Sequence, residues 1–393
     1  MRVAVVAESF LPHMNGVTHS LLKVLAHLRS RGDDAVVIAP SSSWLDRPSW
    51  VNSEAPASVE GYPVVTLPSV PLTGYANVRL AAGTVSRVRR ILAAFAPDVV
   101  HVASPFVLGW RAVQAAEQLG LPTVSVYQTE IPAYAARYGV PWAENLLWQR
   151  VENIHHASTL TLAPSSFALN QLDFRGIPRL RLWRRGVDTA RFHPAKRDGG
   201  WRHSVAPAGS RIIGYVGRLA AEKQVEDLAG LDAVPATKLV IVGSGPAKES
   251  LQQKLPGAHF AGFESGDALA RMMASFDLFV HPGESETFCQ TIQEAMASGV
   301  PVVAVARGGP LDLVDSSRTG WLYPPGELDQ LHAGVMDLLG DDTKRRAFGR
   351  AAYSAVQGRT WPVLCEQLMS YYAEAIEVQR RVPVNRRGFT PVR

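Results

Sequence analysis

Short apolar runs rich in β-branched residues alternate with amphipathic stretches along most of the chain, and this alternation limits the possible folds more than any other feature. In the first half the runs are 3–7, 35–39, 63–67, 98–102, 123–127 and 159–163. In the second half they are 211–217, 238–243, 258–262, 277–281, 301–305 and 320–323. Runs that are apolar on both faces and alternate with helices are typical of parallel strands buried beneath helices. The sequence therefore predicts an α/β fold with two doubly wound, Rossmann-like parallel sheets.

A stretch rich in Gly, Pro and charged residues, 192–211, separates the two series and is interpreted as a linker. Because domains usually hold roughly 100–200 residues, a chain of 393 residues is expected to form two. We expect an N-terminal domain over 1–195, completed by a C-terminal helical segment over 361–393, and a second domain over 205–360. Ligands of such sheets bind beyond the carboxyl ends of the strands, so the cleft between the domains is the expected site.

The composition excludes several classes of protein. A hydrophobic content of 47% and a charged content of 19% are typical of a folded, soluble chain. The net charge of +5 suits an anionic ligand or an anionic membrane surface and does not single out nucleic acid. Two cysteines, Cys289 and Cys365, form neither a disulfide framework nor a zinc cluster. With no apolar run near the ~18 residues that span a bilayer, we expect a cytoplasmic protein, at most peripheral to a membrane.

Two acidic residues, Glu286 and Glu294, follow the run 277–281. A helix is expected from near Phe288 to Gly299, which would place the two carboxylates about 12 Å apart along its axis. This is too far for a single metal ion or for a carboxyl pair, which works at about 5–10 Å. The spacing suits two hydroxyl groups of one extended ligand, with a phosphate at the helix N-terminus. A helix with one exposed and one N-terminal glutamate explains the spacing equally well.

Two cations, Arg218 and Lys223, follow the first strand of the second series. A guanidinium and an ammonium at a strand end can bind a diphosphate from two sides. The alternative is two exposed side chains on a loop. His101, near the end of another strand, could touch a ligand, although a hydrogen-bonded histidine within the fold is the favoured interpretation. The chain contains no D-x-D motif and hence no signature of a metal ion that bridges a diphosphate.

Taken together, several motifs resemble the retaining glycosyltransferases of family 4, which have the GT-B fold of two Rossmann-like domains facing a cleft. The stretches that carry the resemblance are 9–28, 185–194, 216–223, 240–246, 260–263, 274–282 and 284–304. The resemblance covers nearly the whole chain. The "NGV" at 15–17 and the stretch 126–139 are similar to those of actinobacterial GDP-mannose-dependent α-mannosyltransferases.

The resemblance implies roles for the matching residues. Arg218 and Lys223 should bind the donor pyrophosphate and neutralise the leaving group. Glu286 should bind hydroxyl groups of the donor sugar, and Glu294 those of the ribose.

Backbone groups should also contribute. The amides of Phe288, Cys289 and Gln290 should face the sugar and the distal phosphate. Gly16, in the first strand–helix loop, should let the phosphates approach the backbone, since a Cβ atom there would block them. An ordinary turn glycine is the alternative for Gly16.

Two positions depart from the family pattern. Gln128 stands where many relatives have His; an amide can hydrogen-bond a sugar or phosphate but cannot act as a base, so no catalytic histidine is predicted there. Cys289 stands where relatives often have Gly. A thiol is compatible with that position only if the backbone is in an ordinary conformation, in which case Cys289 would contact the ligand rather than act as a nucleophile. A buried packing thiol is the alternative.

The expected reaction transfers a hexose, with mannose from GDP-mannose as the best guess, to a hydroxyl group of a lipid or glycan acceptor. The resemblance implies retention of configuration, and we expect no metal ion or other cofactor. The alternatives are a nucleotide-sugar epimerase of the same fold and a non-catalytic nucleotide-sugar-binding protein. A dinucleotide dehydrogenase fits poorly, because no G-x-G-x-x-G follows the first strand.

Two amphipathic segments could contact an anionic membrane that carries a lipid acceptor. The segment 74–95 contains four arginines, namely Arg79, Arg87, Arg89 and Arg90. The segment 141–158 contains Trp142 and Trp148. A helix packed on the core with a solvated basic side is the alternative, and it is favoured for the second segment.

Overall fold

The computed structural model describes residues 1–41, 56–72, 75–81, 83–104, 106–130, 142 and 144–381. In these ranges the strands are β1 Arg2–Val6, β2 Asp34–Pro40, β3 Ser58–Val59, β4 Tyr62–Leu67, β5 Ser69–Leu72, β6 Tyr75–Ala81, β7 Val99–Val102, β8 Thr123–Val126, β9 Leu160–Ala163, β10 Leu180–Leu182, β11 Arg211–Val216, β12 Thr237–Val242, β13 His259–Gly262, β14 Leu278–His281, β15 Val302–Val305 and β16 Gly320–Tyr323. The α-helices are α1 Gly16–Arg31, α2 Val85–Phe95, α3 Val107–Leu119, α4 Glu144–Ala157, α5 Ser166–Phe174, α6 Gly199–Val205, α7 Lys248–Lys254, α8 Gly266–Ser275, α9 Gln290–Ala297, α10 Pro310–Leu313, α11 Leu328–Gly340, α12 Asp342–Val356 and α13 Trp361–Arg380.

The first half forms an eight-stranded sheet in the order β10-β9-β8-β7-β1-β2-β4-β3. All neighbours are parallel except β3 and β4. Alternate residues of β1 face opposite layers: Val5 packs in the core with Leu25 of α1, whereas Val6 packs with Leu92 of α2. Helices therefore cover both faces, which explains why the central strands are buried at every position and mainly apolar.

The second half forms a six-stranded, wholly parallel sheet in the order β13-β12-β11-β14-β15-β16. Helices again cover both faces, with separate cores on the two sides. Strands β11 and β14 are neighbours in the middle of this sheet, with Ile213 beside Leu278. The chain segments that leave their carboxyl ends are consequently brought together, although β11 and β14 are more than sixty residues apart in sequence.

These sheets confirm the predicted pair of doubly wound parallel sheets. Each of the twelve apolar runs overlaps a strand. The interpretation of 192–211 as a linker was wrong in part. A 3-10 turn, Pro194–Lys196, and helix α6 lie within it. Trp201 of α6 packs against the second core, and the Asp198 side chain accepts a hydrogen bond from the Trp201 amide at the helix start. A capping residue and one large apolar side chain are enough to fold a stretch whose composition resembles a loop.

The last helix, α13, returns to the first sheet. Cys365, Leu368 and Tyr372 lie in the same core as β1 and α1. The Trp183 indole N–H donates to the Leu364 carbonyl at 2.8 Å. This matches the expected C-terminal completion of the first half, while residues 382–393 lie outside the described ranges and the domain bounds stay a prediction.

The chain passes between the halves twice, and the two passages lie side by side. The Val187 amide donates to the Arg359 carbonyl at 2.8 Å, and Val187 forms a parallel bridge with Thr360. In the described residues there is no helix with the length and apolar character needed to cross a membrane.

Candidate active site

Lys223 and Glu286 meet beyond the carboxyl ends of β11 and β14. Lys223 closes a 3-10 turn after β11, and Glu286 lies in the segment between β14 and α9. The Lys223 Nζ lies 2.5 Å from Glu286 Oε1, and both side chains are largely buried. The adjacent strand ends thus bring a cation and a carboxylate from the two predicted motifs into direct contact.

His281, the last residue of β14, is a site residue that sequence reasoning missed. Its Nε2 lies 3.1 Å from the same Glu286 oxygen, and its ring stacks between Tyr215 and Phe279 at centroid distances of 6.0 and 6.5 Å. Burial lowers the His281 pKa, but the neighbouring Cys289 thiol and Glu286 carboxylate outweigh burial and raise it to about 9. In the sequence, the one feature that points to His281 as a site residue is its position at the end of a predicted strand.

The Glu286 carboxylate is held in its ionised form. Burial alone would raise its pKa, but the charge of Lys223 and the hydrogen bond from His281 outweigh this effect and lower the pKa to about 2. Glu286 is therefore a fixed hydrogen-bond acceptor at neutral pH rather than a proton donor.

Arg218 lies at the same strand end but has a different neighbour. Its Nη1 is 3.8 Å from the carboxylate of Glu222, which is buried, while the Arg218 side chain stays about one-third exposed. The Arg218 side chain is thus partly accessible to solvent and lies beside a buried carboxylate.

Glu294 lies in the second turn of α9 and is 7% exposed. Burial raises its pKa to about 8, while a hydrogen bond from the Gln290 side chain and the charge of Arg191 act in the opposite direction. Glu286 and Glu294 therefore occupy contrasting environments, since one is ionised and the other is predominantly protonated at neutral pH. The two acids do not form one shared carboxyl site.

The segment before α9 corrects two expectations. The helix begins at Gln290, two residues later than predicted, and Cys289 is its N-cap. Cys289 has φ +70° and ψ 76°, so the expectation of an ordinary backbone conformation was wrong. Left-handed φ values favour glycine, which is the residue that the family resemblance implies at this position.

The residues that precede Cys289 pack tightly against two glycines, Gly308 and Gly309. The Gly309 amide donates to the Glu286 carbonyl at 2.7 Å. A Cβ atom on Gly308 would lie 2.3 Å from that carbonyl oxygen, and one on Gly309 would lie 2.1 Å from the Phe288 oxygen. Residues 286–288 thus pass directly over two positions where a side chain would not fit, immediately before the left-handed residue Cys289.

Gly16 is the first residue of α1, rather than a residue of the preceding loop as predicted. The Asn15 side chain caps this helix by accepting hydrogen bonds from the Val17 and Thr18 amides. A Cβ atom on Gly16 would lie 2.6 Å from Nη1 of Arg185. The group that approaches Gly16 closely is therefore the Arg185 guanidinium, which a side chain at position 16 would displace.

Arg185 is the second residue that sequence reasoning missed. Its Nη2 donates to Gln128 Oε1 at 2.9 Å, and the Gln128 amide donates to the Ala103 carbonyl at 3.2 Å. Burial lowers the Arg185 pKa to about 10, although the Glu286 carboxylate opposes this effect. Gly16, Gln128 and Arg185 thus form a wall that belongs to the first sheet.

Hydrogen bonds join this wall to the segment around α9. The Thr287 hydroxyl donates to the Gln128 carbonyl at 2.8 Å. The Gln290 and Gln293 side chains donate to the carbonyls of Gly186 and Arg185, each at 3.0 Å. The predicted residues of the two halves therefore line one cleft.

Glu130 is a third missed residue near the cleft. It is buried, its Oε1 accepts a hydrogen bond from the Gln171 side chain at 2.8 Å, and burial raises its pKa. Nearby Glu286 raises this pKa further, whereas Arg307 lowers it. The rest of the 126–139 motif, from 131 onward, lies outside the described residues.

Other predicted positions lie away from the cleft. His101 is fully buried and lies 2.7 Å from the Tyr372 hydroxyl of α13, and burial lowers its pKa to about 3. The interpretation of His101 as a hydrogen-bonded histidine within the fold is confirmed. Trp148 is buried against Tyr127, whereas Trp142 is 77% exposed.

The basic segment 74–95 contains helix α2. Its Val88 and Leu92 are buried in the interior of the first half, while Arg87, Arg89 and Arg90 are exposed. The Arg79 side chain lies outside the described residues. The described part of α2 is thus a core-packed helix with an exposed basic side.

One group of described residues could hold a metal ion. Ligand atoms of His281, Glu286 and Cys289 lie within 4.8 Å of one another. The Lys223 ammonium already contacts the Glu286 oxygen that faces His281, so a cation would have to compete with it. The geometry thus favours a carboxylate neutralised by protein cations.

Two family sequence models match the chain. The family described as "Glycosyltransferase Family 4" matches residues 14–191, and "Glycosyl transferases group 1" matches residues 202–355. A GDP-mannose-dependent alpha-mannosyltransferase of Mycobacterium tuberculosis is 45% identical over 97% of this chain and 98% of that protein. One of Corynebacterium glutamicum is 42% identical over 98% of this chain and 91% of that protein. Identity above 40% over nearly the whole length of both chains establishes that the chain and these relatives belong to one family.

Solved structures share the fold. Sucrose-phosphate synthase from Thermosynechococcus elongatus superposes with a TM-score of 0.80 at 20% identity, over 96% of this chain and 99% of that chain. Anabaena Alr3699/HepE, solved in complex with UDP-glucose, gives a TM-score of 0.75 at 19% identity, over 95% of this chain and 100% of that chain. These similarities confirm the arrangement of two Rossmann-like halves about a cleft.

Proposed function

The chain belongs to the family 4 glycosyltransferases, and we propose that it transfers mannose from GDP-mannose, with retention of configuration, to a hydroxyl group of a lipid or glycan acceptor. The contact between Lys223 and Glu286 carries this proposal. It places a cation suited to a diphosphate beside a carboxylate suited to sugar hydroxyls, at the strand ends where ligands of such sheets bind. The choice of mannose and of guanine as the base is based on the relatives, which are GDP-mannose-dependent alpha-mannosyltransferases.

The cations act on the leaving group. As the bond between the sugar and the diphosphate breaks, negative charge develops on the phosphate oxygens. Lys223, Arg218 and the N-terminus of α9 stabilise this charge without reorganising, since the protein already holds them in place. Gly16 lets the phosphates approach the start of α1 beside the Arg185 guanidinium, which already lies against this glycine.

The acids and the amides bind the rest of the donor. Ionised Glu286 accepts hydrogen bonds from hydroxyl groups of the sugar, and Glu294 binds the ribose hydroxyls. The backbone amides of Phe288, Cys289 and Gln290 face the sugar and the distal phosphate. Both acids have little exposure, which is 14% for the Glu286 side chain and 7% for Glu294, and this agrees with the assignments.

The mechanism that we propose is front-side attack. Glu286 already contacts Lys223 and His281, which makes its carboxylate a poor nucleophile toward the sugar. The acceptor hydroxyl therefore attacks from the side of the departing phosphate, which takes its proton. Gln128 contributes a hydrogen bond and no base. The reaction needs no metal ion, because protein cations neutralise the diphosphate.

We propose that the acceptor is presented at an anionic membrane surface. The support is the exposed side of α2, where Arg87, Arg89 and Arg90 are accessible together. Each basic residue near an anionic leaflet contributes about 1 kcal/mol of attraction. On this proposal the enzyme is cytoplasmic and rests on the inner face of the plasma membrane.

Thermal-shift measurements test the donor. GDP-mannose, UDP-glucose, UDP-N-acetylglucosamine and ADP-glucose are compared at equal concentration, and we expect the largest increase in melting temperature with GDP-mannose. A ligand at 100 times its dissociation constant stabilises a protein by about 2.7 kcal/mol. A larger shift with another donor contradicts the proposed donor.

Product analysis tests the reaction. With the donor alone the sugar should stay mannose, and with acceptor the mannosyl group should be transferred. A change of the donor sugar without acceptor indicates an epimerase. Binding without any product indicates a non-catalytic nucleotide-sugar-binding protein.

A further inference from the structure

Arg185 is a buried cation whose charge has no matching carboxylate close by. The residue is 7% exposed, and its guanidinium has one hydrogen bond, to the neutral amide oxygen of Gln128. Its Nε is buried without a hydrogen-bond partner. Among the residues that the structure describes, Arg185 forms no ion pair. Buried charges are normally paired, because removing an unpaired charge from water costs several kcal/mol.

The surroundings of Arg185 add positive charge. Its Nη1 approaches Gly16, the first residue of the sixteen-residue helix α1, whose N-terminus carries a partial positive charge. Near the same helix, Lys23 and Arg191 lie 3.5 and 3.9 Å from a single carboxylate, that of Asp188. The Asp188 carboxylate thus already has two cationic partners, while Arg185 lies beside the helix N-terminus.

The nearest other acid does not correct this imbalance. The Glu286 carboxylate raises the pKa of Arg185 through its charge. Its Oε1, however, already contacts Lys223 at 2.5 Å and His281 at 3.1 Å. An anionic ligand in the cleft is the missing counter-charge. Nη1 of Arg185 lies against Gly16, so the guanidinium is held next to the positive N-terminus of α1.

We propose that Arg185 binds a phosphate group of the donor diphosphate from the wall opposite Lys223 and Arg218. This inference rests on the proposed function, since it takes a nucleoside diphosphate as the ligand. The planar guanidinium presents its N–H groups as a fork that matches two phosphate oxygens, and the hydrogen bond to Gln128 fixes the orientation of its plane. Because Arg185 belongs to one wall and Lys223 to the other, a diphosphate held by both would draw the walls together.

Calorimetric titration of GDP and guanosine into wild-type protein, Arg185→Lys and Arg185→Gln tests the proposal. A hydrogen bond to a charged group contributes about 1.5–3 kcal/mol, so Arg185→Gln should weaken GDP binding by about 10–100-fold and leave guanosine binding unchanged. The GDP affinity of Arg185→Lys should lie between those of the wild type and Arg185→Gln. Arg184→Gln is the matched control, because Arg184 pairs with Asp312 instead and should leave both affinities unchanged.

The melting temperature of the ligand-free variants separates phosphate binding from a structural role. Arg185→Gln removes an unmatched buried charge, so its melting temperature should equal or exceed that of the wild type. If it melts lower and the ratio of its GDP and guanosine affinities stays that of the wild type, Arg185 has a structural role and the proposal is overturned.

The same titrations distinguish this proposal from the proposed function. If the wild type binds UDP in preference to GDP and Arg185→Gln loses UDP but not uridine affinity, the role of Arg185 stands and the donor base is wrong. If the wild type binds GDP and Arg185→Gln binds it equally well, the donor stands and the role of Arg185 is wrong. Inorganic pyrophosphate should compete with GDP in the wild type and about 10–100-fold less well in Arg185→Gln.

Discussion

The Lys223 ammonium and the Glu286 carboxylate lie 2.5 Å apart at the ends of neighbouring strands, and His281 contacts the same carboxylate oxygen. One oxygen of Glu286 is thus held by two groups of the protein. The carboxylate stays ionised and oriented before any ligand arrives, which is the state that a hydrogen-bond acceptor for sugar hydroxyls requires.

Removing either member of this pair should abolish most transfer. We expect Lys223→Ala and Glu286→Ala each to lower mannosyl transfer by about 10²–10³, the typical cost of losing one preorganised electrostatic group. The measurement is the rate of transfer from GDP-mannose to a lipid-extract acceptor, with circular dichroism to show that the variants fold. Lys344→Ala removes a lysine of a surface ion pair with Asp337 and should keep the wild-type rate. Wild-type activity in both site variants would refute the proposed site.

Glu294 should make stability depend on pH. Its folded pKa of about 8 exceeds the ordinary value of 4.5, so its contribution to the free energy of unfolding is fully present below about pH 4.5 and is lost as the pH rises through about 8. Glu294→Gln removes this titration. We therefore expect the melting temperature of the wild type, relative to that of Glu294→Gln, to fall between pH 5 and pH 8.5. A difference that stays constant over this range contradicts the assignment.

The left-handed backbone of Cys289 should reverse a common order of stabilities. Glycine adopts this conformation without the cost of about 1–2 kcal/mol that a Cβ atom imposes. Cys289→Gly should therefore be more stable than Cys289→Ala by about 1 kcal/mol, although glycine usually destabilises relative to alanine. Urea unfolding of the two variants measures the difference. An alanine variant that is the more stable would show that the backbone at 289 is ordinary.

Transfer should not depend on a divalent metal ion. Lys223 already neutralises Glu286 within the group that could hold a cation, and Arg218 and Arg185 supply further positive charge. We expect full activity after dialysis against EDTA. Activity that disappears with EDTA and returns with Mg²⁺ or Mn²⁺ would overturn metal independence.

The exposed arginines of α2 should mediate membrane binding. We expect the wild type to co-sediment with vesicles that contain anionic lipid, and the triple change of Arg87, Arg89 and Arg90 to Gln to weaken this binding by about 10²-fold, given about 1 kcal/mol for each basic residue. The matched control changes three exposed arginines elsewhere to Gln, namely Arg318, Arg346 and Arg380. Equal loss in both variants, or no preference for anionic lipid, contradicts a specific membrane face on α2.

Short apolar runs made the strands predictable, because most residues of a parallel strand buried on both faces are apolar. The short edge strands β3 and β10 lack this signal, since β3 has two residues and no residue of β10 is fully buried. The contact of Lys223 with Glu286 was within reach of sequence reasoning, because both residues follow strands of the same sheet.

The contact of Arg185 with Gly16 was beyond the reach of sequence reasoning. It joins residues 169 positions apart, and nothing in the spacing of either motif indicates it. The left-handed backbone of Cys289 was likewise unpredictable, since a cysteine gives no local signal for a positive φ.

The return of α13 to the first sheet has a consequence for biosynthesis. Tyr372 and Leu368 fill the same core as the first strand, so the N-terminal half emerges from the ribosome with one of its faces uncovered. The second half has its own cores and can fold before that face is closed. A nascent chain that stalls before residue 361 therefore carries an exposed apolar surface, which is the kind of intermediate that chaperones bind.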